Sequence, residues 1–92
     1  MSAIDAIAEY ARLVMDDCML EFNDAELRQE VVDDISEYVN DLARTDLYKI
    51  DAYNVICDES NNTPAVINNN QLCVTITVIE NGVRSIRKLR VP

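Results

Sequence analysis

The stretch 72-LCVTITVIENGVRSIRKLRV-91 decides the fold. Leu72 to Ile79 is rich in β-branched residues and reads as a strand. Asn81-Gly82 is a pair favoured by two-residue hairpin turns of type I′, which need a positive φ at both positions. Val83 to Val91 is then the returning strand. Its charges, Arg84, Arg87, Lys88 and Arg90, are typical of an edge strand that must resist indiscriminate pairing.

Upstream of this hairpin, the apolar period from about Tyr48 is also two. Ile50, Ala52, Asn54 and Ile56 share one face; Tyr53, Val55 and Cys57 share the other. Both faces are largely apolar near Val55, which predicts a strand covered on both sides. Asp58 to Asn62 is polar loop. Thr63-Pro64 suits a helix cap with Pro at the first position and predicts a short helical turn through Ile67.

The first half of the chain has helical periodicity instead. Ser2 and Asp5 mark a start, a capping side chain with an acid in the first turn. Ile4, Ile7, Ala11, Val14 and Cys18 form one apolar stripe running to about Leu20, widened by Leu13 and Leu20. Asn23 reads as the cap of a second helix. Glu26 completes a capping box, and Phe22 and Leu27 are placed as a hydrophobic staple. Leu27, Val31, Ile35, Tyr38 and Leu42 form the second stripe, which ends near Arg44. The expected architecture is α+β, a single domain over residues 1–92. Two amphipathic helices pack on one face of a small three-stranded, mainly antiparallel sheet, in the order helix-helix-strand-loop-strand-strand.

Composition narrows the function. A chain of 92 residues buries only roughly 60% of the surface it exposes when unfolded, so packing against partners can add to its stability. A net charge of −9 weighs against a basic nucleic-acid-binding surface. No apolar run approaches the ~20 residues of a membrane span, and no signal peptide is visible. Neither nucleic acid nor membrane is an expected partner. Cys18, Cys57 and Cys73 are odd in number and widely spaced, as reduced thiols are. The charge is uneven: residues 1–46 hold thirteen acids and three Arg, whereas the last nine residues hold four cations and no acid. Either both are solvated faces, or the basic end meets the acidic surface of another copy, which would steer association and fix register.

The sequence shows no catalytic apparatus. It contains no His, which excludes His-based triads and metal sites. Asp58, Ser60 and Asn62 alternate like the first ligands of a calcium loop, but Thr63 and Asn69 stand where that loop needs Gly and Glu. Cys57 and Cys73 are a weak zinc pair. The acid pairs Asp16-Asp17 and Asp33-Asp34 read as solvated helix faces. There is no Gly-rich phosphate loop. The expectation is a protein that is not an enzyme and uses no cofactor or metal.

One run is distinctive. Val55-Ile56-Cys57-Asp58-Glu59-Ser60-Asn61-Asn62-Thr63-Pro64, followed by Val66-Ile67-Asn68 and Gln71-Leu72, closely resembles the C-terminal domain of bacteriophage contractile tail sheath proteins. Those domains carry a strand ending in Cys-Asp-Glu/Thr-x-Asn-Asn-Thr-Pro, then an Ile-Asp-x-Asn-like turn and an apolar strand. Phe22-Asn23-Asp24 is similar to the family's junction between two helices, with a shorter spacer. Leu47-Tyr48 and Tyr53 stand where the family has a Leu-Tyr-Asp-Phe-like segment, and Arg84-Ser85-Ile86 matches its Arg-Ser-Ile. The signature loop is thus Cys57, Asp58, Asn61, Asn62, Thr63 and Pro64. Its expected role is to set the two central strands side by side.

The resemblance implies a structural subunit that polymerises helically around a tail tube in the virion, assembled in the host bacterial cytoplasm. Its partners would be other copies of itself in a helical or ring assembly, the tail tube protein, and baseplate or tail-terminator proteins. Strands donated between neighbours would extend the sheet by β-augmentation. Contraction energy would be stored in the extended lattice. The candidate subunit interface is the last strand: Val83, Arg84, Ile86, Arg87, Lys88, Leu89, Arg90 and Val91. The sequence departs from the family in its short length, the lack of an N-terminal donor arm, Asn68 in place of Asp and the added Asn81-Gly82 turn. Three forms stay open: a fragment of a longer sheath, a minimal sheath, or a baseplate or tail-end protein of sheath-like fold that nucleates or caps assembly. The Glu-Pro-Arg signature of small baseplate initiators is absent, which lowers the last of these.

Overall fold

The computed structural model describes residues 2–18 and 21–92. Strand β2 (Leu72–Glu80) turns at Asn81-Gly82 into β3 (Val83–Val91). Asn81 has φ 52° and Gly82 φ 76°, the two positive angles of a type I′ turn. The antiparallel register then runs unbroken from Glu80↔Val83 to Leu72↔Val91. A Cβ on Gly82 would meet nothing within 4 Å, so Gly82→Ala is opposed by backbone conformation alone. It should destabilise the chain by about 1 kcal/mol, as read by denaturant unfolding. A much larger loss would point to packing at the turn.

Strand β1 (Ile50–Ile56) pairs antiparallel with the other side of β2, so the strand order is β1-β2-β3. The register shifts between Ile50 and Ala52, which leaves Asp51 as an extra residue. Its Oδ2 accepts from the Gly82 amide at 2.9 Å, while the Asn81 amide donates to the Lys49 carbonyl at 3.1 Å. The start of β1 thereby holds the β2–β3 turn.

Helices α1 (Ala3–Asp16) and α2 (Ala25–Ala43) cover one face of this sheet, α1 over β2 and β3 and α2 over β1. The core they enclose includes Ile7, Met15, Val31, Ile35 and Val39 from the helices and Val74, Ile76 and Val78 from β2. The α+β architecture of two helices on a three-stranded sheet is therefore as the periodicity predicts, with every strand pair antiparallel. A short α3 (Pro64–Asn68) packs against β2, capped by Thr63 with Pro64 in its first turn. Ser2 caps α1 as expected. Asp5 Oδ1 in its first turn pairs with Arg87 of β3 at 2.7 Å, and Glu80 Oε1 accepts from the Ala3 amide at 3.0 Å. On the outside of the helical layer, the rings of Tyr10 and Tyr38 stack 4.1 Å apart.

Several expectations need correction. β1 is covered on one face only. Tyr53, Val55 and Cys57 turn toward the helices, whereas Ala52 and Asn54 are exposed on the other side. Two helices suffice for one face of three strands, and no third layer exists among the described elements. β1 is therefore an edge, and β2 is the one central strand among the described residues. Leu13 does not widen the α1 stripe; it is 62% exposed, because its position falls opposite Ile7 and Ala11 on the helix. α1 ends at Asp16, with Asp17 as its C-cap, and Leu20 lies outside the described residues. Val39, absent from the expected stripe of α2, is fully buried.

Candidate functional site

The signature loop is organised by one buried amide. Asn62 is 1% exposed. Its Oδ1 accepts from the Cys73 amide at 2.9 Å, and its Nδ2 donates to the Cys73 carbonyl at 2.9 Å. Continuing the β1–β2 register beyond Ile56↔Thr75 would place residue 58 opposite Cys73. The Asn62 side chain therefore stands in for one rung of the ladder after the backbone of β1 has turned away. Nδ2 also donates to the Asp58 carbonyl at 3.1 Å, and the Asn62 amide donates to that same carbonyl at 2.8 Å. Asn61 acts in parallel: its Nδ2 donates to the Ile56 carbonyl at 2.8 Å and its Oδ1 accepts from the Asp58 amide at 3.0 Å. Two successive amide side chains thus satisfy the polar backbone that a strand would otherwise pair.

Asn23 joins this clamp from the helical layer. Its Nδ2 donates to Asn62 Oδ1 at 3.0 Å and to the Gln71 carbonyl at 2.9 Å. Its Oδ1 accepts from Arg28 Nη1 at 2.8 Å, and its carbonyl accepts from the same nitrogen at 3.2 Å. The cap of α2 is instead Asp24, whose Oδ1 accepts from the Leu27 amide at 2.8 Å. The capping box and staple expected around Asn23 are therefore not formed: with Asp24 as cap, Leu27 rather than Glu26 stands at the third helical position, and Phe22 is 91% exposed rather than packed on Leu27. Both Asn and Asp cap helices well; Asp24 takes the cap because only Asn23 has the amide donors that Asn62 and Gln71 require. Arg28, which the sequence reading did not single out, is the one buried charged side chain among the described residues. Its i+4 spacing from Asp24 is an ordinary helix-surface pattern and carries no signal of burial.

These groups are arranged to hold shape. Burial pushes the Cys57 thiol up to about 11, so it stays protonated and weakly nucleophilic. The alternation of Asp58, Ser60 and Asn62 does not converge on a cation site: Asp58 Oδ1 accepts from the Ser60 amide and hydroxyl, while Asn62 faces Cys73. Those Ser60 bonds hold the Asp58 carboxyl below its ordinary value. A depressed folded value stabilises the chain above about pH 4 and loses that contribution as pH falls through the folded pKa. Ser60→Ala should therefore raise the Asp58 pKa, seen by NMR titration of its carboxyl carbon, and flatten the acid limb of stability. An unmoved titration would contradict the hydroxyl's role.

The last strand divides cleanly. A two-residue turn closes on a hydrogen-bonded pair, here Glu80↔Val83, and bonded and non-bonded pairs alternate from it. The amides and carbonyls of Arg84, Ile86, Lys88 and Arg90 accordingly point away from β2, along a free edge. Their side chains lie on the face without helices, and all four are exposed. Leu89 and Val91 are 3% and 5% exposed, so their side chains belong to this chain's own core and cannot meet a neighbour. Strand alternation is the reason. Arg87, on the helical side, is engaged by Asp5. Of the candidate interface residues, Val83, Arg84, Ile86, Lys88 and Arg90 remain as accessible side chains.

Comparison with known proteins returns no matching family model and no significantly similar curated protein or solved structure.

Proposed function

We propose that the chain is a structural subunit of a contractile phage tail sheath, without enzymatic activity, that joins its neighbours by β-augmentation. The observation that carries this reading is the free edge of β3, a strand of nine residues with four outward amide and carbonyl pairs. The signature loop supports it in a second way. Its side-chain clamp fixes where β2 starts and so fixes the register in which β3 is offered. A rigid, regular edge favours repeated pairing of identical units, and its row of cations limits pairing to a partner that can answer them.

The test is electron microscopy of the purified chain with assembled tail tubes. A helical coat along the tube is the expected result, and a ring confined to one end would favour the tail-end alternative. The variant pair Ile86→Pro and Ile86→Thr isolates the edge. The Ile86 amide makes no bond to β2, so proline there removes only an outward donor. Ile86→Pro should abolish coating while Ile86→Thr retains it; equal behaviour of the two would overturn augmentation through β3. A chain that leaves tubes bare would overturn the sheath reading itself.

A further inference from the structure

The sheet has one covered face and one open face, and the two outer surfaces of the molecule carry opposite charge. On the open face, β3 presents Arg84, Lys88 and Arg90, all exposed, with Ile86 among them 47% exposed. None of these three cations is in an ion pair; the two pairs found among the described residues use Arg44 and Arg87. On the opposite side, the helical layer carries Glu30, Asp34 and Glu37 along the exposed side of α2. Beside them runs the groove between α1 and α2, where Leu13 is 62% exposed next to the Tyr10–Tyr38 stack. Each surface is an apolar strip lined by one sign of charge.

The dimensions agree as well. Arg84 to Arg90 spans six strand residues, about 20 Å. Glu30 to Glu37 spans seven helical residues, about 11 Å, within a helix of 19 residues about 28 Å long. The acid row can therefore sit wholly against the cation row.

We propose that the open sheet face of one copy docks on the helical face of the next, giving a head-to-tail stack of identical subunits. The proposal rests on the reading of this chain as a self-assembling subunit and adds a second contact to the strand edge. Charge selects the occupant. Two sheet faces set against each other would bring basic rows together, and two helical faces would bring acidic rows together. Only the heterologous arrangement pairs opposite signs, and heterologous contacts propagate into rings or filaments rather than closing as dimers. The net charge of −9 opposes association at long range. Beyond the Debye length, about 8 Å at 0.15 M salt, that repulsion is screened while contact pairs survive. Association should thus strengthen from very low salt to about 0.15 M and weaken again near 1 M.

The test uses two charge-reversed forms of the whole chain, followed by sedimentation velocity. One carries Arg84→Glu, Lys88→Glu and Arg90→Glu; the other carries Glu30→Lys, Asp34→Lys and Glu37→Lys. All six positions are exposed, and circular dichroism melts establish that both forms fold. Each form alone should associate at least tenfold more weakly than the parent chain. An equimolar mixture should recover assembly, because each reversed sheet face then meets a reversed helical face. If the parent assembles while the mixture stays apart, or if each form assembles as the parent does, the face contact is wrong. The sheath reading then still stands or falls on Ile86→Pro. A parent that stays monomeric both in solution and with tubes overturns both.

Discussion

Asn62→Leu should destabilise the chain by about 3 kcal/mol and lower its melting temperature by more than about 10 °C. The substitution keeps roughly the same volume and removes the amide. It leaves the Cys73 amide and carbonyl without their partner and weakens the bonding of the Asp58 carbonyl. Each buried polar group left unpaired costs about 1–3 kcal/mol, and the added apolar burial offsets about 1–2 kcal/mol of the sum. A domain of 92 residues is stable by about 5–14 kcal/mol, so the loss is a large fraction of the whole, and about 4–8 °C of melting temperature accompanies each kcal/mol. Asn62→Asp sharpens the reading. The new carboxylate retains the acceptor for the Cys73 amide but faces two carbonyls where the amide donated. Its proton would be favoured in the folded state, so its folded pKa is raised. The stability lost at neutral pH should return as pH falls below that value. Calorimetry across pH 4 to 8 checks the sign. If Asn62→Leu melts within 2 °C of the parent, in a range set by the same scale, the clamp contributes little.

The second large effect contrasts two isoleucines on neighbouring strands. Ile76 is fully buried in the middle of β2, against the helical layer. Ile86, one strand over, lies on the open face and is 47% exposed. Ile76→Ala should cost about 3–4 kcal/mol, the transfer of its lost methyl groups plus the cavity left behind. Ile86→Ala should stay within about 1 kcal/mol in the isolated chain. Urea unfolding of the two variants, read with the parent, separates them. Assembly reverses the ranking. At a concentration where both remain folded, Ile86→Ala should weaken association and Ile76→Ala should leave it near the parent's. Equal losses of stability would mean that the open face is covered within the monomer.

How legible these features were in the sequence depends on the distance over which each is decided. The β2–β3 hairpin is a local matter of β-branched residues and an Asn-Gly turn, and it formed in the expected register. Thr63-Pro64 likewise specifies α3 from adjacent residues. The start of α2 is different. Asn23 and Asp24 are equivalent to a capping rule, and the choice between them is made by Asn62, 39 residues away. The coverage of β1 was misread because Ile56 lends its outer face an apolar character that three strands and two helices do not bury, and because the extra residue Asp51 turns Ile50 to the helical side, where it packs against the core. The stretch from Asp58 to Asn62 reads in the sequence as a polar loop, but its mechanics cannot be read there. That Asn62 pairs with the backbone of Cys73 follows from a register that only the folded sheet supplies. In the candidate interface, simple alternation along β3 already separates Leu89 and Val91 from Arg90; what the sequence lacked was the side on which the helices sit.

The clamp also bears on the lifetime of the folded chain. The hairpin closes between adjacent strands over a two-residue turn and is of a kind that forms in microseconds. The Asn62 bonds to Cys73 join residues only eleven apart, but the Asn23 bond to Asn62 reaches across 39 and needs α2 and the loop to be in place together. Contacts made late in folding are absent from the transition state, and they govern how fast a protein comes apart rather than how fast it assembles. On that ordering the Asn23–Asn62 bond would act as a kinetic latch, and its loss should speed unfolding more than it slows folding. A chain pulled apart through its strands would keep its fold for as long as that latch stays shut.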